Sequence, residues 1–286
     1  MSKVAIVTDS TAYIPSSYFV GLPLESIPLQ VIWGEKVYRD GIDIKPVEFY
    51  ERLKTATVMP STSQATPMEF REIYARLLDD GYDILSIHIS SKLSGTMDSA
   101  IQAKNMFKTD RIELVDSETA GMALGFQALN AAKAAKQGES LSDCKKIAEL
   151  SRQHTGVYFL VSTLEFLHRG GRIGGASAFL GTMLNLKPIL EVRDGRIEAV
   201  DKVRTISKAQ DRLLDIFEAR LEKERAPFHI AALHANAQVE AEALLEKAKK
   251  RFSNSDIVET VCTDVSPVIG THTGPGALAL AFFAGN

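Results

Sequence analysis

The sequence predicts an α/β fold in two halves, the first built around a mainly parallel sheet, and three observations lead to it. The 286-residue chain is longer than the roughly 100–200 residues of one ordinary domain. Short apolar runs alternate with helix-period segments almost throughout, the pattern of strand–helix–strand units. Several of those runs end in segments rich in Ser, Thr and Asp, as expected where open-sheet strands deliver loops to their carboxyl edge.

The elements follow in order. Val4–Val7 reads as a buried strand that ends at Thr8-Asp9-Ser10-Thr11. Alternating Ile27, Leu29, Val31 and Trp33 indicate a strand and hairpin over 26–40. Pro46 and Pro67 stand where proline opens a helix, predicting helices to about residues 54 and 79. A strand over 84–90 leads to a helix from near Ser94, then come a strand over 112–115 and helices over 119–137 and 141–153. The second half starts with the strand 157–161, a helical 163–168 and the glycine-rich Arg169–Gly175. A helix to about Leu184 follows, in which Phe179, Leu180, Met183 and Leu184 have helical spacing and read as core, with a gate over an internal tunnel as the alternative. Two apolar runs around Asp194-Gly195 predict a hairpin. Helix 207–222, strand 228–234, helix 237–252, strand 257–263 and a final helix from about Gly274 complete the reading.

Composition excludes several function classes. With 33 basic and 36 acidic residues the net charge is -3, so the positive field of a nucleic-acid binder is absent. The longest late apolar run, Ala277–Ala284, has eight residues, far short of the roughly 18 that cross a bilayer. The first residues enter a strand pattern directly, without a signal-peptide design, and cytoplasmic residence is the expectation. Cys144 and Cys262 stand alone and read as core thiols. The six histidines, at 88, 154, 168, 229, 234 and 272, show no paired ligand spacing. Neither a metal nor any other cofactor is expected.

Three hydroxyl-rich segments carry the candidate chemistry: Ser61-Thr62-Ser63-Gln64, Ser90-Ser91-Lys92-Leu93-Ser94-Gly95-Thr96 and Gly270-Thr271-His272-Thr273-Gly274-Pro275-Gly276. Small hydroxyls and free helix N-terminal amides together make an anion site. Each segment alone reads equally as a helix cap. A serine hydrolase is the rival reading, with Ser94 as nucleophile, His272 as base and Asp9 or Asp116 to orient it. Lys92-Leu93-Ser94-Gly95-Thr96 lacks the first glycine of a nucleophile elbow, and no glycine-rich loop ends in the Gly-Lys-Ser/Thr of a nucleotide cradle.

Seven strings in order resemble the DegV family: Val7-Thr8-Asp9-Ser10-Thr11, Thr62-Ser63-Gln64, Ser91–Thr96, Val115-Asp116-Ser117, Phe166–Ile173, Lys187-Pro188-Ile189-Leu190 and Gly270–Gly276. The resemblance implies two α/β domains, residues 1–155 with a mainly parallel sheet and 156–286 with a mixed sheet and helices, holding a fatty acid between them. It further implies a carrier without chemistry of its own, the lipid-binding subunit of bacterial fatty acid kinase, whose partner subunit uses ATP to phosphorylate the presented carboxylate for phospholipid synthesis. By position, Thr62 and Ser94 match the family's carboxylate-binding hydroxyls and His272 the histidine that completes the network; the amides of Gly95 and Thr96 are added as donors. Arg169, Arg172 and Arg204 are candidates for docking the kinase subunit, and transient contact with a membrane surface is compatible with the role. A serine esterase or thioesterase acting on acyl chains is the alternative.

Burial of about sixteen carbons at ~0.8 kcal/mol per methylene gives a gross gain on the order of 10 kcal/mol. The tail can therefore supply the affinity, and the head group need only be oriented.

Overall fold

The computed structural model describes residues 3–182, 186–252 and 256–285. In chain order the first half contains β1 (Lys3–Asp9), α1 (Ser16–Phe19), β2 (Leu24–Ile27), β3 (Gln30–Trp33), β4 (Lys36–Arg39), α2 (Pro46–Lys54), β5 (Ser61–Ser63), α3 (Pro67–Asp79), β6 (Tyr82–His88), α4 (Thr96–Lys104), β7 (Ile112–Asp116), α5 (Met122–Lys136) and α6 (Leu141–Gln153). The second half runs β8 (Thr155–Leu160), α7 (Glu165–Arg169), a 3-10 helix (Gly174–Thr182), β9 (Lys187–Arg193), β10 (Arg196–Val203), α8 (Ile206–Leu221), β11 (Phe228–His234), α9 (Gln238–Lys249), β12 (Ile257–Asp264), α10 (Pro267–Thr273) and β13 (Leu278–Ala284).

Three sheets result. An all-parallel sheet has the order β2-β1-β6-β7, as the strand–helix alternation predicts. A mixed sheet has the order β10-β9-β8-β13-β11-β12, antiparallel except for the β11–β12 pair. A small antiparallel sheet, β4-β3-β5, covers one side. Its third strand holds Ser61-Thr62-Ser63, so one of the hydroxyl-rich segments is a strand rather than a loop.

Local chemistry explains most boundaries. Thr66 and Glu69 close a capping box ahead of Pro67, so α3 starts where the proline predicts. Ser140 caps α6 on the Asp143 amide, and Thr205 caps α8 on that of Lys208. Asp194 and Gly195 both have positive φ, 51° and 75°, the backbone of the tight turn that suits a twisted hairpin. Alanine-rich α5 has twelve of its fifteen residues buried, which follows from its position between the sheets, packed on β1 on one side and on β8 and β13 on the other.

The expected final helix from Gly274 is not formed. Helix α10 ends there instead, since Gly274 closes it at φ 74°, and its start is marked by Ser266 and Pro267. The following Leu278–Ala284 is a central strand, buried at every residue and paired with both β8 and β11. Alanine and leucine favour helix in isolation, but a short apolar run enclosed on both faces satisfies its backbone equally well as a strand. The expected helix to Leu184 is a 3-10 helix to Thr182. In it Phe179 is half-buried against the core with the Lys202 ammonium 4.9 Å from its ring centre, and Leu180 is exposed. Met183 and Leu184 lie outside the described residues.

Candidate functional site

A cavity lies between the parallel and mixed sheets. Its floor crosses the mixed sheet strand by strand, from Ile197 on β10 through Val192, Phe159, Ala279 and Leu233 to Asp264 on β12. Leu29, Ile89, Leu93, Val268 and Ile269 close it from the other side. The cavity volume is about 110 Å³, against roughly 10–15 Å³ for one trapped water. It has room for more than a single water, and much of its lining is apolar.

Polar groups gather at one part of this channel. The hydroxyl-rich segments converge there: Thr62 on β5, Ser94 in the loop before α4, and His272 in the last turn of α10 all line the cavity. Thr62 Oγ1 and His272 Nε2 are 2.8 Å apart, and Ser94 Oγ lies 2.8 Å from Thr96 Oγ1. Burial, with the neighbouring positive charge of Arg172 second, lowers the His272 pKa to about 4. The ring is therefore neutral near pH 7, one nitrogen donating and the other accepting. Its Nδ1 is buried and has no partner. Assigning the proton to Nε2 makes Thr62 Oγ1 the acceptor and leaves the threonine's own proton free for an acceptor in the cavity.

Two packing details hold this arrangement. A Cβ on Gly170 would lie 2.0 Å from His272 Nδ1, so only glycine lets the end of α7 approach the ring so closely. The Gln64 amide lies over Gly95, where a Cβ would come within 3.2 Å of Nε2. Gly95 and Thr96 themselves do not line the channel: Gly95 precedes the first turn of α4, and Thr96 is buried, with its amide 3.3 Å from Ser94 Oγ. These two support Ser94 from behind.

The three arginines separate. Arg172 lines the channel, and its Nε donates to the Leu93 carbonyl at 3.0 Å, one residue before Ser94. Arg169 is exposed and paired with Glu165 at 2.8 Å. Arg204 is exposed at the junction of β10 and α8. Sequence spacing offered no sign that Arg172 points inward while Arg169 points out. Outside the channel a shallow cleft is formed by Met59, Pro60, Phe166 and Arg169, and Thr62, Arg172 and His272 line both spaces. The polar cluster is thus the wall between an inner apolar channel and the surface.

Hydrolase geometry does not assemble at Ser94. His272 bonds Thr62, and Ser94 bonds Thr96. An Asp–His–Ser chain does exist elsewhere: Asp9 Oδ2 to His88 Nδ1 at 3.1 Å, His88 Nε2 to Ser86 Oγ at 2.6 Å, and Tyr74 donating to Ser86 at 2.7 Å. All four residues are fully buried, so no substrate reaches that serine, and the chain ties β1, β6 and α3 together. Asp9 also accepts from the amides of Thr11 and Ile89. Among the described residues no group of His, Cys, Asp and Glu could hold a metal ion, and no helix is long and apolar enough to cross a membrane.

A second buried carboxylate, Asp40, joins the halves. It accepts from the Ser10 hydroxyl at 2.7 Å and from the Val268 amide of α10 at 3.4 Å. Burial raises its pKa to about 7 against those hydrogen bonds.

Comparison with known proteins agrees with this architecture. The DegV family model, described as "Uncharacterised protein, DegV family", matches residues 3–285. A DegV domain-containing protein of Streptomyces coelicolor is 39% identical over 278 residues, covering 97% of each chain. A Thermus thermophilus structure described as fatty acid binding of a DegV family protein superposes with a TM-score of 0.92 at 35% identity over 99% of each chain. The structure of DegV from Bacillus subtilis, described as a fatty acid binding protein, gives a TM-score of 0.89 at 37% identity over 100% of each chain.

Proposed function

The chain belongs to the DegV family, and from that premise we propose that it binds a long-chain fatty acid in the channel between the two sheets and presents the carboxylate to a separate ATP-dependent kinase subunit. One observation carries the reading: Thr62, Arg172 and His272 form the wall shared by the apolar channel and the outer cleft. A carboxylate at that wall has its tail in the channel and its oxygens within reach of a phosphoryl group brought from outside.

The division of labour follows from the chemistry. The channel supplies affinity by burial of methylenes. Thr62 and Ser94 donate to the carboxylate, and neutral His272 orients Thr62 without adding a charge. Arg172 gives the head group a positive neighbour whose Nε hydrogen bond to Leu93 holds it in place. These donors fix the acid without enclosing it, so its oxygen stays available as the nucleophile toward the partner's phosphoryl donor, giving an acyl phosphate. The exposed Arg169 and Arg204 steer an acidic partner surface, and brief contact with a membrane lets the acid exchange. On this reading the chain performs no bond-making step. An esterase reading has no support in the hydrogen bonds of Ser94.

The test is mass spectrometry of the purified protein under native conditions, followed by incubation with ATP and a fatty acid kinase catalytic subunit. A co-purifying fatty acid and hydroxylamine-trapped acyl phosphate that requires both proteins are the expected results. Turnover of acyl esters by the protein alone, abolished by Ser94→Ala, would overturn the proposal.

A further inference from the structure

Tyr13 lines the channel together with Asp264, the residue of its floor on the edge strand β12. The channel floor spans all six strands of the mixed sheet; five inter-strand spacings of about 4.8 Å make roughly 24 Å. The loop that carries Ser94 is tied to the β9–β10 hairpin tip, where Ser90 Oγ and Lys92 Nζ donate to the carbonyls of Gly195 and Asp194. Far across the sheet, beside Asp264 on β12, stands Tyr13.

Beyond Tyr13 a separate cleft opens, lined by Ile14, Phe19, Leu24 and Pro28 and, on its polar part, by Ser10, Ser26, Asp40 and Lys45. Among the described residues Tyr13 alone lines both that cleft and the channel. Gly41 packs against its ring, and Thr263 bonds its backbone. A Cβ on Gly41 would lie 3.6 Å from ring Cε2, and the Thr263 hydroxyl donates to the Tyr13 carbonyl at 3.4 Å. The backbone of Tyr13 is left-handed, φ 43° and ψ 49°, a conformation a bulky residue adopts only at a cost. An aromatic residue in a position suited to glycine suggests that the ring itself is needed.

We infer that the Tyr13 ring is the end wall of the acyl channel and sets the longest chain the protein accepts, the inference resting on the fatty-acid reading above. A chain that reaches from the Thr62–Ser94 end to Tyr13 fits; one with further methylenes meets the ring. Replacement of the ring by hydrogen joins the channel to the cleft at Ile14 and Phe19, and the extra methylenes gain an apolar path.

The experiment uses delipidated full-length protein and the saturated series palmitate, stearate, arachidate and behenate, with affinities from competition against a fluorescent fatty acid. Tyr13→Gly suits the left-handed backbone, so the variant folds, and its thermal unfolding is recorded beside the wild type. Tyr13→Gly is expected to shift preference toward arachidate and behenate by roughly tenfold for each pair of added methylenes that wild type rejects. Tyr13→Phe keeps the ring and is expected to keep the wild-type profile. An unchanged length profile in Tyr13→Gly overturns the inference, as does a Tyr13→Phe profile that matches Tyr13→Gly. Wild type that binds no member of the series overturns the fatty-acid reading itself, a result distinguishable from either.

Discussion

His272 Nε2 lies 2.8 Å from Thr62 Oγ1 although 210 residues separate them in sequence. This contact joins the small antiparallel sheet to α10 at the wall between the channel and the surface cleft. The expectations below follow from it and from the buried groups around it.

Removal of both hydroxyls tests orientation apart from affinity. Thr62→Ala with Ser94→Ala is expected to weaken fatty-acid binding by about tenfold per hydroxyl lost, while the tail still retains the acid. Acyl-phosphate formation with the kinase subunit should fall much further. Titration of palmitate together with hydroxylamine trapping separates the two; equal losses in both would show that the hydroxyls contribute binding only.

Gly170→Ala should disturb the same contact from behind. The added methyl would come within 2.0 Å of His272 Nδ1, so the ring must move and its bond to Thr62 is lost. The expected cost is on the order of 1–3 kcal/mol of stability, read from thermal or urea unfolding, with acyl-phosphate formation reduced as in the Thr62 variant.

His272 also makes stability depend on pH on the acid side. Its pKa is about 4 in the folded chain against an ordinary 6.5, so between those values the unfolded chain binds the extra proton. Stability is therefore lost as pH falls from 6.5 to 4, and the loss is complete below 4. The contribution is on the order of 3 kcal/mol. His272→Gln, which cannot take the proton, should flatten that part of the stability–pH curve.

Asp40 acts with the opposite sign. Its pKa is raised from 3.8 to about 7, so the folded chain binds the extra proton between these values. The stability it contributes is intact below pH 3.8 and is lost as pH rises through 7, by an amount on the order of 4 kcal/mol. Asn at this position mimics the protonated acid: an amide N–H for Ser10 and an oxygen for the Val268 amide. Asp40→Asn should melt higher than wild type above pH 7 and converge with it in acid. A melting difference that does not vary with pH would show that Asp40 is not the group responsible.

Much of the fold was legible because its cause is local. Pro46, Pro67 and the capping residues before α3 and α6 mark helix starts through hydrogen bonds within a few residues. The alternation of apolar runs and helix periods specifies a parallel sheet in the first half, and Asp194-Gly195 specifies the hairpin through backbone conformations those residues tolerate. The order of the hydroxyl-rich strings pointed to the family and to Thr62, Ser94 and His272 as members of one site. One misreading had its cause outside the local sequence. Leu278–Ala284 has the composition of a helix and becomes a strand because β8 and β11 flank it on both sides. Arg169 and Arg172 are three residues apart, yet one is exposed and the other lines the channel, since the turn at Gly170 and Gly171 re-aims the chain. Tyr13 gave no signal at all, since Asp264 and Gly41 are brought beside it only by the fold.

By itself, then, the sequence determined the element types, most of their ends and the residue kinds of an anion site, because periodicity, caps and turn chemistry act over a few residues. Only the tertiary structure decided that Thr62 meets His272, that Arg172 lines the channel and that Tyr13 stands between the channel and the neighbouring cleft. Those relations arise when the two sheets pack on opposite sides of α5, and long-range packing of that kind leaves no periodic mark on the chain.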